Sequence, residues 1–511
     1  MNKANYYQKR QAGSSKNIVW PSLLLFIFIW QLASLLVANQ VLLPGPIEVI
    51  QTLVSLLPDV NYRLSVLNSL LKICLGLVLG GLVGITLGHL AYFFPKSQVF
   101  FNPLIFIFKT APLAALTIIL MIWLKPSALP LVLIVMAVTP PLYYTSKSAL
   151  ALAPEKLLEM AYIYRFSPWS TYRYIYLPGL VKELAASISY SSGLAFKAGI
   201  TGEIMAQPLL SIGSKLYAAK IQLNTNQVLA HLSLLIILSY CLNHLLQLIL
   251  RSLSQESHQG QPETRPSLRD QEEKPRSLED QVQAYETRAE PTNELDGIKT
   301  MNYLDSPPCI SIENMTKTYG HKKIIDHFSC QIRQGLITAI TGPSGQGKTS
   351  FFRILTGLEE ADTGKINTDT EYRWSYAFQD IRLLENLSLL ENLSLVGLSK
   401  GPYDKKSPGE KQNKADFVVE WLPWIKALGL DPEQKIKFYS GGMKQKASLI
   451  RALVAPSDIV ILDEVFRELD QESESLLLEL LVQKKGTRTV LLASHRQDLI
   501  KRLADQVIPL K

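Results

Sequence analysis

The chain has 511 residues, 47% of them hydrophobic and 19% charged, with a formal net charge of +8. Its cysteines have no CxxC spacing, which excludes a disulfide framework and a zinc site and fits a reducing compartment for the second half. They are Cys74, Cys241, Cys309 and Cys330. Much of the positive charge lies beside apolar segments, so membrane flanks explain it and nucleic-acid binding is not expected.

The chain begins with a basic segment and a long apolar run. Residues 1–17 contain Lys3, Lys9, Arg10 and Lys16 and no acidic residue. The apolar run 18–38 has about the 20 residues that span a bilayer. A cleaved signal peptide is the alternative, but further apolar segments follow and no small-residue cleavage site is clear. The positive flank predicts a cytoplasmic N-terminus.

Residues 18–251 are predicted to form an all-α membrane domain with six spans. The five later spans are predicted at 73–94, 99–124, 128–144, 185–205 and 229–250. An outer turn and an amphipathic helix at 47–57 separate the first two spans. Six spans return the chain to the cytoplasm, and the basic residues of the inner loop 146–182 agree with that orientation.

The second predicted span has glycines at strict four-residue spacing, which lines one helix face with glycine. They are Gly76, Gly80, Gly84 and Gly88. Such a face lets another helix approach closely. Packing within the chain is favoured over a seam between two copies.

Lys197 lies in the middle of the fifth predicted span. A lysine at the bilayer centre costs about 2.5–3.5 kcal/mol on insertion scales, so Lys197 should face a polar interior. A substrate path is the functional candidate, and snorkelling or pairing with another helix is the alternative. Glu203 lies roughly 120° around the helix, so the two side chains are not expected to pair directly.

The inner loop begins as an amphipathic helix, is broken by Pro168 and ends at Leu177-Pro178. Periodicity alone favours a surface helix over a docking element. The pattern resembles the Glu-Ala-Ala loop of bacterial ABC importer permeases, a short coupling helix that docks on the ATPase. The resemblance implies coupling roles for Glu159, Ala161, Leu177 and Pro178. Arg165 departs from the family, which usually has glycine at that position.

The stretch 193–203 and the residues to Lys220 resemble permeases of the nitrate, sulfonate and taurine importer group.

Residues 252–307 are rich in Gln, Glu, Arg, Ser and Pro and predict a flexible polar linker. An artefactual fusion of two proteins is the alternative to such a tether.

Residues 308–511 alternate strands and helices, which predicts a parallel α/β domain. A Walker A phosphate loop follows the predicted strand 336–341 and opens a helix. Its glycines allow backbone N–H groups to surround phosphates, the lysine reaches the β- and γ-phosphates, and the threonine can ligate Mg²⁺. The nucleotide-binding residues are Gly342, Pro343, Ser344, Gly345, Gln346, Gly347, Lys348, Thr349 and Ser350. A chance match is the alternative, and the strand and helix around the loop argue against it.

Three further motifs accompany the phosphate loop. Asp463 and Glu464 end an apolar strand, where the first can hold Mg²⁺ and the second can polarise water. Ser440, Gly441, Gly442 and Gln445 open another helix, which predicts either a second anion site used by a partner copy or a plain N-cap. His495 after a strand could contact a γ-phosphate, although a structural histidine is more common there.

Together these motifs resemble the ABC transporter ATPase over about 200 residues. The resemblance implies that Tyr319 stacks on adenine and that Gln379 touches Mg²⁺. It also makes Glu464, His495, Lys348 and Gln379 the catalytic residues, and Thr349, Gln379 and Asp463 the metal ligands.

The sequence therefore predicts a six-span permease followed by an ABC ATPase, which uses ATP and Mg²⁺ to import a small solute. The candidate solutes are a nitrate-, sulfonate- or taurine-like anion and a vitamin precursor. The predicted assembly is a homodimer with an external solute-binding protein in a bacterial plasma membrane, with the ATPase in the cytoplasm. The alternatives are an exporter half-transporter and a membrane ATPase that transports nothing.

Overall fold

The structure is a computed structural model that describes residues 21–22, 24–37, 39, 41–256, 306–368, 370–397, 414–467 and 469–510. The predicted N-terminus 1–17 and most of the predicted linker 252–307 lie outside these residues. The described residues form two compact units. The first consists of residues up to Leu152 together with those from Pro178 to Glu256, and the second of Ala153–Leu177 together with those from 306 onward.

The first unit is helical, in agreement with the predicted all-α domain. Its helices are α1 (Leu24–Val37), α2 (Pro46–Leu56), α3 (Val60–Phe93), α4 (Gln98–Thr110), α5 (Leu113–Trp123), α6 (Leu129–Ala151), α9 (Leu177–Ala206), α10 (Ile212–Ile221) and α11 (Thr225–Glu256). Within the described residues, three helices are long and apolar enough to cross a membrane: α3, α6 and α11 over Thr225–Leu250. The count of six spans therefore stays a prediction.

The predicted third span, 99–124, consists of two helices with a break between them. The chain bends by 110° between the helix that ends at Thr110 and α5. Pro112 lies at the break and has extended backbone angles. A proline disfavours helical geometry in the residue before it, and Ala111 is accordingly extended as well.

The glycine face of α3 packs within the chain, as favoured from the sequence. A Cβ on Gly76 would lie 2.6 Å from Ile134, and a Cβ on Gly84 would lie 2.6 Å from the carbonyl oxygen of Thr139. Gly80 and Gly88 also face α6. The missing side chains therefore let the backbones of α3 and α6 approach each other.

The inner loop forms α7 (Glu155–Ile163), α8 (Pro168–Thr171) and a π-helical turn (Tyr172–Tyr176), which leads into α9. The prediction that Pro168 breaks the first helix is wrong. That helix ends at Ile163, and Pro168 begins the next helix behind the N-cap Ser167. Leu177-Pro178 does not end the segment either, since it lies in the first turn of α9. The π turn ends two residues before Pro178, whose missing N–H would leave a backbone carbonyl of a regular helix without its hydrogen bond.

The rest of the second unit has the predicted parallel sheet and a second, antiparallel sheet that was not predicted. The strands are β1 (Pro308–Tyr319), β2 (Lys322–Arg333), β3 (Ile337–Thr341), β4 (Thr363–Thr368), β5 (Trp374–Ala377), β6 (Ile459–Asp463), β7 (Thr489–Ala493) and β8 (Gln506–Pro509). The antiparallel sheet has the order β2-β1-β4, and the parallel sheet has the order β5-β6-β7-β3-β8. The helices are α12 (Lys348–Leu355), α13 (Leu389–Gly397), α14 (Lys414–Ala427), α15 (Gly441–Val454), α16 (Gln471–Lys485) and α17 (Gln497–Leu503).

The order of the parallel strands brings the predicted motifs together. Strands β6, β7 and β3 are neighbours, and β6 and β3 are buried along most of their length. The phosphate loop follows β3, Asp463 ends β6, and His495 follows β7. Because the carboxyl ends of parallel strands lie at one edge of a sheet, these three motifs meet at that edge.

Candidate functional site

The phosphate loop connects β3 to α12. Gly345 and Gly347 have left-handed φ angles of +78° and +95°, which glycine adopts without strain. A Cβ on Gly347 would also collide with Ile324. Lys348 is buried, and its ammonium donates to the carbonyl oxygens of Gly342 at 2.9 Å and Pro343 at 3.1 Å. The loop therefore has the glycine-dependent backbone conformation and the cation expected of a phosphate site.

Asp463 lies at the bottom of this site and is almost fully buried. Its Oδ2 accepts a hydrogen bond from the hydroxyl of Tyr376 at 3.0 Å, whereas Oδ1 has no hydrogen-bond partner in the described part of the chain. Burial raises the pKa of Asp463, and the hydroxyls of Thr349 and Tyr376 oppose that shift. A buried carboxylate oxygen without a partner, next to a threonine hydroxyl, fits a hard divalent cation such as Mg²⁺.

Glu464 is held between two side chains that the sequence placed in the same site. Its Oε1 lies 2.8 Å from His495 Nε2, and its Oε2 accepts from Gln379 Nε2 at 3.3 Å. His495 Nε2 also lies 3.3 Å from the ammonium of Lys348. The four predicted catalytic residues are thus joined by direct contacts. Glu464 has a φ of +52°, a conformation that a non-glycine residue rarely adopts.

Tyr319 ends β1 beside the start of α12. Its hydroxyl donates to Glu359 Oε1 at 2.5 Å and lies 3.2 Å from the Ser350 hydroxyl. Burial, followed by the Glu359 carboxylate, raises the pKa of Tyr319. Its ring is nearly half exposed, which leaves aromatic surface available to a planar ligand.

The segment 440–445 caps and begins α15. The Ser440 hydroxyl accepts from the backbone N–H of Met443 at 3.3 Å, so the expected N-cap is present. Gly441 and Gly442 have neither a left-handed φ nor any atom within 4 Å of an added Cβ. Among the described residues, nothing in the chain explains two glycines there. Gln445 donates to the carbonyl oxygen of Val465 at 2.9 Å, so its amide is tied to the chain itself.

Within the second unit, the inner-loop helix α7 packs on the α/β core. The Glu159 carboxylate accepts two hydrogen bonds from Arg353, at 2.7 and 2.9 Å, and one from Arg382 at 2.5 Å. Beside it, Lys156 pairs with Asp380 at 2.8 Å. The apolar side of the loop enters the core through Met160, Ala161, Ile163, Tyr164 and Ile175.

The sequence reasoning missed the two arginines. Arg353 lies on α12 five positions after Lys348, and Arg382 lies three positions after Gln379. A signal was available, because a glutamate on a docking helix needs a cationic partner once it is removed from water. Of the other predicted coupling residues, Ala161 is buried, Leu177 is half-buried and Pro178 is exposed.

In the first unit, the side chains of Lys197 and Glu203 lie on different sides of α9, as expected from their positions around the helix. Lys197 is exposed on α9 in the single chain. Glu203 is buried and accepts hydrogen bonds from the Ser69 hydroxyl at 2.8 Å and from the backbone N–H of Gly213 at 3.1 Å. Glu203 therefore fixes the start of α10 against α9 and α3.

Two family models match different parts of the chain. Residues 325–467 match the ABC transporter model. Residues 76–257 match the model for the inner membrane component of binding-protein-dependent transport systems. The first match contains the phosphate loop and Asp463, and the second contains α7 and Lys197.

Curated relatives match the second half of the chain. An uncharacterized ABC transporter ATP-binding protein of Methanocaldococcus jannaschii is 32% identical over 205 residues, which are 40% of this chain and 74% of that protein. An aliphatic sulfonates import ATP-binding protein of Agrobacterium fabrum is 32% identical, over 39% of this chain and 69% of that protein. A zinc import ATP-binding protein of Rickettsia bellii is 30% identical, over 39% and 82%.

Proposed function

Because the chain belongs to the ABC transporter family and joins an importer-type permease to an ATPase, we propose that it imports a small anionic solute. The solute is of the nitrate, sulfonate or taurine kind, with an aromatic vitamin precursor as the second candidate. An external solute-binding protein delivers it to a homodimer in a bacterial plasma membrane, with the ATPase and the N-terminus in the cytoplasm. The observation that carries the proposal is the seating of α7 on the ATPase core through Glu159, Arg353 and Arg382.

In this proposal the chain hydrolyses ATP at the edge of its parallel sheet. The phosphate loop and Lys348 bind the phosphates, and Tyr319 stacks on adenine. Asp463, Thr349 and Gln379 are the groups that hold Mg²⁺, which neutralises phosphate charge when it is bound.

Glu464 acts as the general base for the attacking water. The water oxygen bonds to the γ-phosphorus, the bond from that phosphorus to the β,γ-bridging oxygen breaks, and the water proton passes to the carboxylate. His495 and Gln379 keep the carboxylate in one orientation through their contacts of 2.8 and 3.3 Å.

Two copies are needed for a complete site. Ser440, Gly441 and Gly442 offer backbone N–H groups at the start of α15, and one phosphate loop already serves the nucleotide of its own chain. The open space at both glycines supports contact with the nucleotide of a second copy. Closure of the two ATPases around two ATP then moves both α7 helices and reorients the permease, and hydrolysis resets it.

Lys197 is the proposed contact for the anionic solute in the membrane. Its exposure on α9 supports this role, since a bilayer-facing lysine would be costly. Lys197→Met should lower uptake at least about tenfold while the basal ATPase rate persists, because a desolvated ion contact is worth more than 1.4 kcal/mol. Lys182→Met is the matched control on the exposed start of the same helix. Unchanged uptake in Lys197→Met would remove Lys197 from the path.

The direction of transport tests the proposed function. The purified chain is reconstituted in liposomes with its ATPase outward, so that import runs from the lumen to the bath. Nitrate, taurine, alkyl sulfonates and an aromatic vitamin precursor are enclosed with or without the candidate binding protein, and MgATP is added outside.

Release into the bath that requires both ATP and the enclosed binding protein is the expected result, and it identifies the solute. Movement into the lumen without any binding protein would mean an exporter. Hydrolysis that no solute or binding protein changes, with no movement in either direction, would mean an ATPase that transmits force or a signal.

A further inference from the structure

Within the second compact unit, two series of polar contacts begin at Glu159, and each is called a line below. One passes through Arg382 toward the loop that carries Gln379 and Asp380. The other passes through Arg353, whose Nε also donates to Glu359 Oε2 at 3.4 Å. The proposed function uses Glu159, Arg353 and Arg382 to seat α7 but gives no part to Glu359.

Glu359 extends the second line to the base end of the nucleotide site. Its Oε1 accepts the hydroxyl of Tyr319 at 2.5 Å and lies 3.3 Å from the ammonium of Lys317. The same ammonium lies 5.5 Å from the centroid of the Tyr319 ring. The contacts therefore run without interruption from Tyr319 through Glu359 and Arg353 to Glu159.

The charges along this line alternate and are shielded from water. The side chains of Lys317, Glu359 and Glu159 are 13%, 18% and 15% exposed, and that of Arg353 is 26% exposed. Hydrogen bonds between charged groups are shorter and stronger than neutral ones, and poor solvation strengthens them further. A displacement of one member therefore leaves its neighbours unpaired, which links their positions.

We propose that Glu359 is a positioning residue that couples the base end of the ATP site to the helix α7. The inference rests on the proposed stacking of adenine on Tyr319. When adenine stacks on the ring of Tyr319, the hydroxyl of that residue fixes the position of the Glu359 carboxylate. The position of Glu359 in turn determines how Arg353 contacts Glu159. Because coupling between sites is reciprocal, the state of the Glu159 contact must also change the affinity for ATP.

Double-mutant cycles on the full-length chain test this coupling. The probe is the magnesium complex of adenosine 5′-(β,γ-imido)triphosphate, which binds without turnover, and the measured quantity is its Kd. Glu159→Gln is combined with Glu359→Gln, and separately with Tyr319→Phe, which keeps the aromatic ring and removes only the hydroxyl. Glu360→Gln is the matched control, because this neighbouring residue is exposed.

The factor by which Glu159→Gln changes Kd should differ at least about threefold between the native background and either the Glu359→Gln or the Tyr319→Phe background. When Glu159→Gln is combined with Glu360→Gln, the fold-change in Kd of the double variant should equal the product of the two single fold-changes. Inorganic triphosphate, measured by competition, has no base and should show no such coupling.

Independent effects in both cycles would overturn the inference, and so would equal coupling with inorganic triphosphate, since that would mean a general loosening of the domain. These outcomes differ from failure of the proposed function. If the native chain transports with ATP but the cycles show independence, only the role of Glu359 is lost. If the native chain moves no solute, the proposed function fails whatever the cycles show.

Discussion

At the scale of single residues, Glu464 combines strained backbone with a fixed side chain. Its φ of +52° lies in a region that costs a non-glycine residue about 1–3 kcal/mol, so the conformation persists only where the surroundings impose it. The surroundings here are His495 and Gln379, which contact one carboxylate oxygen each. A carboxylate held in this way is oriented for the one role proposed above, that of the general base.

Glu464→Gln should therefore abolish most hydrolysis and leave nucleotide binding intact. The amide cannot accept a proton, so the ATPase rate should fall about 10²–10⁴-fold, the usual contribution of a positioned base. The Kd for MgATP should stay within about twofold. Glu472→Gln, an exposed acidic residue of α16, is the control and should behave like the native chain. Retention of more than a tenth of the native rate would assign the proton transfer to another group.

Arg165, like Glu464, has a left-handed backbone, and it stands where the resemblance to the Glu-Ala-Ala loop leads us to expect glycine. Its φ is +50°, its guanidinium pairs with Glu371 at 2.7 Å, and the next residue, Phe166, donates its N–H to the Ala161 carbonyl at 2.9 Å. The loop thus keeps a glycine-like conformation without glycine. The exposed ion pair contributes little, about 0–1 kcal/mol.

Arg165→Gly and Arg165→Ala separate backbone strain from the ion pair, because both remove the guanidinium but only alanine keeps the strain. Residues 160–168 should open less readily in the glycine variant than in the alanine variant, by about 1 kcal/mol. Hydrogen exchange of peptides from this segment measures the difference. Equal protection in the two variants would show that the positive φ stores no strain.

At the scale of elements, α7 is held by a carboxylate between two arginines. Burial alone would raise the pKa of Glu159, but hydrogen bonds from Arg353 and Arg382 outweigh it and hold the pKa below its ordinary value. Because the pKa of Glu159 is lowered in the folded state, its contact with the two arginines stabilises the docking of α7 at pH values above the ordinary pKa of glutamate. That stabilisation is lost as the pH falls through the lowered value.

Hydrogen-exchange protection of α7, corrected for intrinsic rates, should therefore be flat from neutral pH down to about 5 and fall below about 4.3. Glu159→Gln should reduce protection at neutral pH by about 1–3 kcal/mol, because two arginines lose a charged partner. Glu155→Gln, exposed on the same helix, is the control. If Glu159→Gln kept native protection, native uptake and native solute-stimulated hydrolysis, Glu159 would not be a coupling residue.

At the scale of the whole molecule, the proposed function requires a second copy of the chain to complete each ATP site. Gly442→Ala distinguishes this requirement from a role in folding. Among the described residues, no atom beyond the adjoining helix backbone lies within 4 Å of the added Cβ, and alanine is favoured over glycine within a helix by about 1 kcal/mol.

The Gly442→Ala chain should be as stable as the native chain or more stable, yet hydrolyse ATP at least about tenfold more slowly, because the methyl group lies where a partner's nucleotide would approach. Thermal unfolding and the dependence of ATPase rate on protein concentration are the measurements. Gly179→Ala, at a similarly open helical position on α9, should likewise be as stable as the native chain or more stable, but it should leave the ATPase rate unchanged. Full activity in Gly442→Ala would mean that the start of α15 contacts no nucleotide.

Much of the second unit could be predicted from local patterns. The strands before the phosphate loop and before Glu464 were expected at 336–341 and 459–462 and are observed as β3 and β6. The antiparallel sheet of β1, β2 and β4 was missed, because register shifts interrupt the alternation of buried and exposed residues in β1 and β2, and β4 is exposed along its whole length. In the first unit, apolar composition predicted segments that overlap α3, α6 and α11, which are long and apolar enough to cross a membrane, but it did not show the bend at Pro112.

The sequence by itself determined the chemistry: a phosphate loop, Asp463 with Glu464, the glycines at 441 and 442, and a membrane half with an inner loop. Such motifs are contiguous, so their spacing alone specifies what they can bind. Only the tertiary structure decided which distant groups meet. Glu159 and Arg353 are 194 positions apart, and Tyr319 and Glu359 are 40 positions apart. Their contacts depend on how the elements pack, and no local pattern of residues encodes that packing.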